Sequence, residues 1–447
     1  MSASFHEKLL QSWSEFQQST AAVPTATAVG VSLLLAILYP ALFSSKKSTD
    51  IEELGGVSLF TAWPFFSRRF DFLKDNFAKT GENIFTFKVL HHSVTAMKGE
   101  EARKAFFDSR SLNFTEGYKI LMGAAPRLED VDKSLHQPED VSWFNKQLSI
   151  LMNKKRLADV LPTLFDDVQA RMEGWGKEGR MDPFKNIYDL VFQMTVRMAT
   201  CRELSSDMDE LNLLQAEYWK LEKSATPTSL LLPWFPSKAK KDKETATKNL
   251  FTMLEKYVDK RRAAEVPTAD AIDLLIAEGL STELIIGFIL GVIFAGVVNT
   301  GINSCWALLF LSFNKEWKEK VMAEVNTLVQ THTDTLSDEP LHKRLAAIPI
   351  SVWEDEMPVM DTVIRETIRL ILNGAALRRN LLEEISISSK IVPKGNFVTY
   401  PVSDVHLNPD IYTRPTEFDP SRFGPGREED KKQTFAYLGW GAGKASA

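Results

Sequence analysis

From Leu284 to Phe313 the chain runs for 30 residues without a charge, LIIGFILGVIFAGVVNTGINSCWALLFLSF. A stretch this long and this apolar has two homes, a bilayer or the interior of a large protein, because a helix that is hydrophobic all round has no face to give to water. Gly287 and Gly291 form a GxxxG pair, the spacing that lets a second helix approach closely in lipid. Asn299 and Asn303 argue the other way: four residues apart, they stack on one helical face, where hydrocarbon penalises two amides. That face meets protein or lines a cavity, and on the residues alone the two homes stay evenly open.

The 447 residues are enough for one large domain or two or three average ones, and an apolar content of 44% supplies a sizeable core. Net charge is only -6, with basic residues scattered through amphipathic stretches such as KKDKETATKNLFTMLEKYVDKRRAAEV, which argues against nucleic acid as a partner. Two cysteines, Cys201 and Cys305, make neither a disulfide framework nor a zinc cluster and fit a reducing compartment. A second apolar run, AAVPTATAVGVSLLLAILYPALF, sits in a segment with no charge between Glu15 and Lys46 and is long enough to span a bilayer. Signal peptides hold their basic and apolar parts close to Met1, whereas the first 19 residues here are polar and include Glu7 and Glu15. The expected plan is a polar segment at 1–19, a transmembrane anchor at 20–45 and one large body from 46 to 447. Lys46 and Lys47 directly after the span put that body in the cytosol by the positive-inside rule.

The body reads as mainly helical with small sheets near both ends. FFSRRFDFLKDNFAKTG has helical spacing and a glycine stop, NIFTFKVLHHSVTAMKG alternates like a hairpin, and EEISISSKIVPKGNFVTYPVS after Arg379 returns to strand spacing around a Pro-Lys-Gly turn. His91 and His92 are neighbours in the hairpin pattern, so as strand residues they point to opposite faces and cannot chelate one metal together. The glycine-rich LGWGAGKAS invites a phosphate-loop reading, but Leu438 occupies the first glycine position and Ala445 follows Lys444 where Ser or Thr is needed.

In MDTVIRETIRLIL, Glu366 and Arg369 stand three apart, hence on one helical face. Such a pair is ordinarily a solvated contact, yet here its setting is apolar. LNPDIYTRPTEFDPSRF adds Arg422 in a rigid loop able to bring a second guanidinium to the same carboxylate. A helix with AGVVNT (295–300), then Glu366-x-x-Arg369, then RPTEFDPSRF (414–423), then LGWGAGK (438–444) resembles the ordered motifs of the cytochrome P-450 superfamily, the haem-thiolate monooxygenases. The resemblance covers nearly the whole chain after the anchor. It implies the cytochrome P-450 fold, makes the uncharged segment the long helix crossing the distal face of a haem, and makes Glu366, Arg369 and Arg422 a buried triad fixing the haem-side loop.

Carried over residue by residue, the resemblance implies that Trp440, Gly441, Gly443 and Lys444 belong to the haem loop, Lys444 standing for the family's arginine. Ala447 stands where the axial cysteine is expected. The expectation is that KASA is read through from a mis-set exon boundary, or else that the chain is a true truncation without thiolate and without activity, since the thiolate favours O–O cleavage. On the distal side Val298 replaces the usual acid, and Asn299 with Thr300 resembles the branch of sterol 7-alpha-hydroxylases and prostacyclin synthase. Asn299 then hydrogen-bonds bound oxygen or peroxide, and Thr300 or water relays the proton. Tyr118, Ala295 and Gly296 fall at the haem or substrate edge, with packing as the other reading of Tyr118. Trp143 resembles a propionate clamp whose arginine is here Gln147, with Lys146 as a substitute. SLLLPWFPSKAKK from Ser229 resembles a lipid-dipping loop, with Leu232, Trp234 and Phe235 as its apolar patch.

The implied activity is insertion of one oxygen atom from O2 into an apolar sterol- or fatty-acid-like substrate, on the endoplasmic reticulum membrane. Haem is the implied cofactor, and NADPH serves through a reductase. Two alternatives stand beside it: a peroxide isomerase of the same fold that needs no reductase, and a non-catalytic membrane protein.

Overall fold

The computed structural model describes residues 50–443 apart from 57, 119–127, 136–140, 233–234 and 335. The expected anchor at 20–45, Lys444 and Ala447 lie outside the described residues, as does Trp234.

Helices carry most of the chain from Ser58 to Ile371, and their ends follow local chemistry. Arg69–Thr80 stops at Gly81, which adopts a left-handed conformation and donates its N–H to the Phe77 carbonyl. Met208–Lys223, Lys238–Arg262 and Thr282–Phe313 start at Asp207, Ser237 and Ser281, whose side chains accept from backbone N–H groups of the first turn. The last of these is the uncharged segment, hereafter the central helix.

The central helix settles into protein. Every residue from Ile285 to Leu290 is buried, and the helix packs chiefly against Pro183–Ala199, with further contacts to Lys238–Arg262 and Pro358–Ile371. Its GxxxG glycines take side chains from neighbouring elements: a Cβ on Gly287 would meet Leu128 at 3.2 Å and one on Gly291 would meet Phe144 at 3.0 Å. By length and composition it is also the one described helix able to cross a membrane. Half of its apolar window is buried, and its first part, among helices rich in Leu, Phe and Tyr, has the protein interior as its home.

Among the described residues, eight strands form two sheets. β1 (Glu52–Glu53), β2 (Ile84–Val89), β3 (His92–Met97), β4 (Leu112–Asn113), β5 (Ala375–Asn380) and β8 (Phe397–Pro401) make a six-stranded sheet in the order β1-β2-β3-β8-β5-β4. β6 (Ile385–Ile387) and β7 (Lys390–Val392) pair as a separate ribbon. The strand patterns expected near the two ends of the body thus meet in one sheet, because β3 runs parallel to β8 in the register Val94↔Phe397. Strand spacing begins at Ala375, earlier than the sequence pattern suggested, since Leu377 pairs with Thr399 inside the sheet.

One expectation is overturned. The β2–β3 hairpin turns through Leu90 and His91, so His91 leaves the strand alternation and its ring lies 3.8 Å from that of His92. The two rings are neighbours, not opposites; among the described residues no His/Cys/Asp/Glu group is arranged to hold a metal ion.

Candidate active site

A cavity of about 370 Å³ opens between the sheet, the residues around Phe107 to Tyr118 and the glycine-rich loop. Its walls are apolar, including Phe107, Phe114, Leu372, Val402 and Leu438, and the one cation among its described lining residues is Arg378. β5 explains how a charge reaches this place. Arg378 and Arg379 are consecutive in a strand, so they take opposite faces: Arg379 is partly exposed beside Glu116, while Arg378 is buried. Arg378 Nη1 donates to the Leu112 carbonyl at 3.5 Å, and its Nε, fully buried, has no partner among the described residues. Burial lowers its pKa, and Tyr118 beside it raises it again.

Tyr118 lines the same cavity at the end of helix Phe114–Tyr118. Burial raises its hydroxyl pKa against the pull of Arg69 and Arg378. The short helix can lie this close to β5 because residue 117 is glycine: a Cβ there would stand 2.2 Å from Arg378 Cα.

The floor is the glycine-rich loop, with Leu438, Gly441 and Ala442 lining the cavity. Gly441 N–H closes a turn on the Leu438 carbonyl at 3.0 Å. Gly443 has φ +83°, and a Cβ on it would lie 2.1 Å from the Phe107 carbonyl oxygen, so the loop touches the cavity wall only without a side chain there. Trp440 is 68% exposed and is not among the lining residues.

Behind the loop lies the charged network. Glu366, Arg369 and Arg422 are each 0% exposed. Arg369 holds Glu366 with two bonds, Nε to Oε2 at 2.7 Å and Nη2 to Oε1 at 2.8 Å, and Arg422 Nε reaches Oε1 at 3.1 Å. The remaining guanidinium donors fasten the loop before the glycine segment: Arg369 Nη1 donates to the His406 and Pro415 carbonyls at 2.5 and 2.7 Å, and Arg422 Nη2 to Arg414 at 2.8 Å. A second carboxylate completes the network. Glu429 takes Arg422 Nη1 at 3.1 Å and Arg427 Nη2 at 2.9 Å. Burial pushes the Glu429 carboxyl up, but hydrogen bonds from Arg427, Thr413 and Arg422 outweigh it and bring it down to about 2.

His406 joins this network to the floor. It ends helix Val402–His406, is 0% exposed, and accepts the Leu438 N–H on Nε2 at 2.9 Å, with its ring stacked on Tyr437. Burial, helped by the Arg369 charge, lowers its pKa to about 3, so the ring is neutral with its proton on Nδ1.

The sequence-derived residues on the central helix sit apart from this cavity: Ala295, Asn299 and Thr300 are exposed and none of them lines it. Asn299 and Asn303 each turn the amide nitrogen back on the helix, onto the Ala295 and Asn299 carbonyls at 2.9 and 2.7 Å. At Gly296, expected at the haem or substrate edge, a Cβ would meet Thr195 at 3.2 Å. Trp143 packs edge-on against Phe288, and Lys146 pairs with Glu278 at 3.4 Å. Gln147 is buried with Oε1 unpartnered among the described residues.

Sequence reasoning missed Arg378, His406 and Glu429. The first carried a signal: two arginines running through a strand must part, one inward and one outward.

The cavity fits the edge of a haem, an apolar plate carrying carboxylates, because apolar walls surround one buried guanidinium with an unused N–H. No described residue supplies an axial thiolate. Burial pushes the Cys201 thiol up to about 11, burial likewise raises Cys305, and Cys305 Sγ donates to the Pro183 carbonyl at 3.2 Å; neither lines the cavity.

Comparison with known proteins agrees with the geometry. The family model described as Cytochrome P450 matches residues 56–446. Cytochrome P450 monooxygenase AacuE of Aspergillus aculeatus is 28% identical over 402 residues, 87% of this chain and 79% of the relative. A sterol 14-demethylase of Arabidopsis thaliana is 24% identical over 441 residues, 93% of this chain and 86% of the relative. Among solved structures, retinoic acid bound cyanobacterial CYP120A1 matches with a TM-score of 0.70 and 23% identity, covering 89% of this chain and 87% of that one.

Proposed function

The chain belongs to the cytochrome P450 family, whose cofactor is haem, and from that membership we propose that it is a membrane-bound monooxygenase acting on an apolar, sterol- or fatty-acid-like substrate, facing the cytosol from the endoplasmic reticulum. The observation that carries the reading is the apolar cavity with the buried, unpaired Arg378 above a glycine-rich floor. In this reading haem, when bound, would supply the activation of O2. Arg378 would hold a propionate, Tyr118 would close that edge, and Gly441 and Gly443 would let the loop backbone approach the group closely. The triad of Glu366, Arg369 and Arg422 keeps the preceding loop in place.

On the distal side the central helix carries Asn299, which stands apart from the cavity in this structure and would offer the reacting centre a hydrogen-bond acceptor. Its Nδ2 is used by the Ala295 carbonyl, which leaves Oδ1 to orient a water or a substrate hydroxyl. With valine at 298, Thr300 and water are the route for a proton. A likeness to a sterol 14-demethylase supports a sterol-like substrate class. Membrane docking is supported by exposed Phe60, Trp63 and Phe235. Helix Ser58–Ser67, which carries the first two, packs on Pro227–Leu231, just before Phe235.

The test uses the full chain in phospholipid vesicles with haem, a P450 reductase, NADPH, ¹⁸O₂ and a sterol panel. One labelled oxygen in the product, dependent on NADPH, is the expected result. Turnover of a lipid peroxide without reductase would assign the isomerase reading instead. Failure to retain haem would overturn both.

A further inference from the structure

The buried triad stops short of the loop it is expected to fix. The side chains of Glu366, Arg369 and Arg422 bond His406, residues 413–419 and Glu429, and among the described residues none of their hydrogen bonds reaches residues 433–443. Something must carry their order across this gap.

We propose that His406 is the positioning residue that sets the glycine-rich floor of the cavity relative to the triad. Its two ends do different work. The main-chain carbonyl accepts Arg369 Nη1 at 2.5 Å, which fixes residue 406 to the triad. The ring accepts the Leu438 N–H at 2.9 Å, and the Gly441 N–H then closes on the Leu438 carbonyl at 3.0 Å. Holding one amide therefore holds the turn that presents Leu438, Gly441 and Ala442 to the cavity. Tyr412 OH donates to the Ala436 carbonyl at 3.0 Å and Tyr437 OH to the Arg365 carbonyl at 3.3 Å, so the approach to the turn has ties of its own, whereas the Leu438 amide at its start is bonded by His406.

The ring's other nitrogen supports a specific role. Nδ1 is buried with no partner among the described residues. An orphaned N–H is costly, and an aromatic hydrocarbon ring of the same size would avoid it while keeping the stack on Tyr437. What such a ring lacks is an acceptor at the Nε2 position. Lysine and arginine have none, asparagine is too short, and glutamine can present an oxygen at about the reach of Nε2.

The consequence for haem rests on the function proposed above, whereas the geometry is tested without it. Hydrogen–deuterium exchange with residue-level fragmentation is measured on the full chain in detergent, with no haem added. His406→Leu is expected to speed exchange at the Leu438 amide ~10-fold, from the loss of one buried hydrogen bond, with the Asp419 amide, which donates to Glu366 Oε1 at 2.9 Å, unchanged. His406→Gln is expected to restore slow exchange. If the leucine variant fails to fold, His406→Gln against His406→Asn makes the same comparison. Equal acceleration at Leu438 and Asp419 would reduce His406 to ordinary core packing, and unchanged exchange at Leu438 or no rescue by glutamine would equally overturn the proposal.

Discussion

Acidification separates the stability carried by His406 from that of the carboxylates. Its ring is neutral in the fold with a pKa of about 3, against an ordinary value of 6.5. The groups against it are the Arg369 guanidinium from helix Pro358–Ile371, the Tyr437 ring and the Leu438 amide, and burial with the guanidinium and the amide donor disfavours an imidazolium. Below pH 6.5 the unfolded chain takes up a proton that the folded chain refuses until about pH 3, so folding stability is flat above this window and falls with pH inside it. Between pH 8 and pH 5 the unfolded chain gains the benefit over about 1.5 pH units, which is about 2 kcal/mol. Glu429 works at lower pH. Its depressed carboxyl contributes above the unfolded carboxylate value and is lost toward about 2, so it contributes little to the change between pH 8 and 5. The assay is urea unfolding of wild type and His406→Gln at both pH values. The drop from pH 8 to pH 5 is expected to be about 2 kcal/mol larger in wild type, and contributions from the other histidines cancel in the difference. Parallel losses in the two proteins would refute the buried, neutral ring.

Glu366→Ala leaves Arg369 and Arg422 buried without their shared carboxylate, and a loss of about 3–5 kcal/mol is expected, read from the urea midpoint and soluble yield. Gly443→Ala meets both a φ of +83° and a carbonyl 2.1 Å from the new methyl, so a cost of at least ~1–3 kcal/mol is expected in the same assay. Arg378→Leu is expected to weaken haem binding on the order of 10- to 100-fold in a spectral titration, with Arg378→Lys intermediate, because a charged hydrogen bond to carboxylate is lost. Equal haem affinity in all three proteins would remove Arg378 from the site.

The Glu366–Arg369 pair was legible because an i,i+3 salt bridge in an apolar helix has nowhere wet to go. Its second carboxylate was not. Glu429 lies in GREEDKK, which reads as a solvated charge run, and only the turn at Glu429–Lys431 brings one member of that run under Arg422. His406 carries no pattern at all, since a lone histidine says nothing about which amide 32 residues later will meet it. The central helix shows the opposite limit. Its period and polarity were fully visible, yet lipid and protein satisfy a uniformly apolar helix equally well until Leu128, Phe144 and Tyr188 are seen against its glycines.

Charge balance ties these pieces together. In the triad region two buried carboxylates, Glu366 and Glu429, face Arg369 and Arg422, with Arg427 at the rim, so the network is close to neutral and every donor has a destination nearby. Such a cluster is a structural solution: it carries no demand for a ligand. Arg378 is different. It is buried beside Phe106, Phe107 and Phe114, which offer ring faces but no anion, and among the described residues no carboxylate pairs with it. Cation–π contacts with these rings offset part of the cost of burying the guanidinium, but they leave its Nε–H without an acceptor among the described residues. The unused donor at Arg378 therefore fits an anionic group on something that enters the cavity, while the floor beneath it is tied to the neutral network through His406 and the loop that network holds.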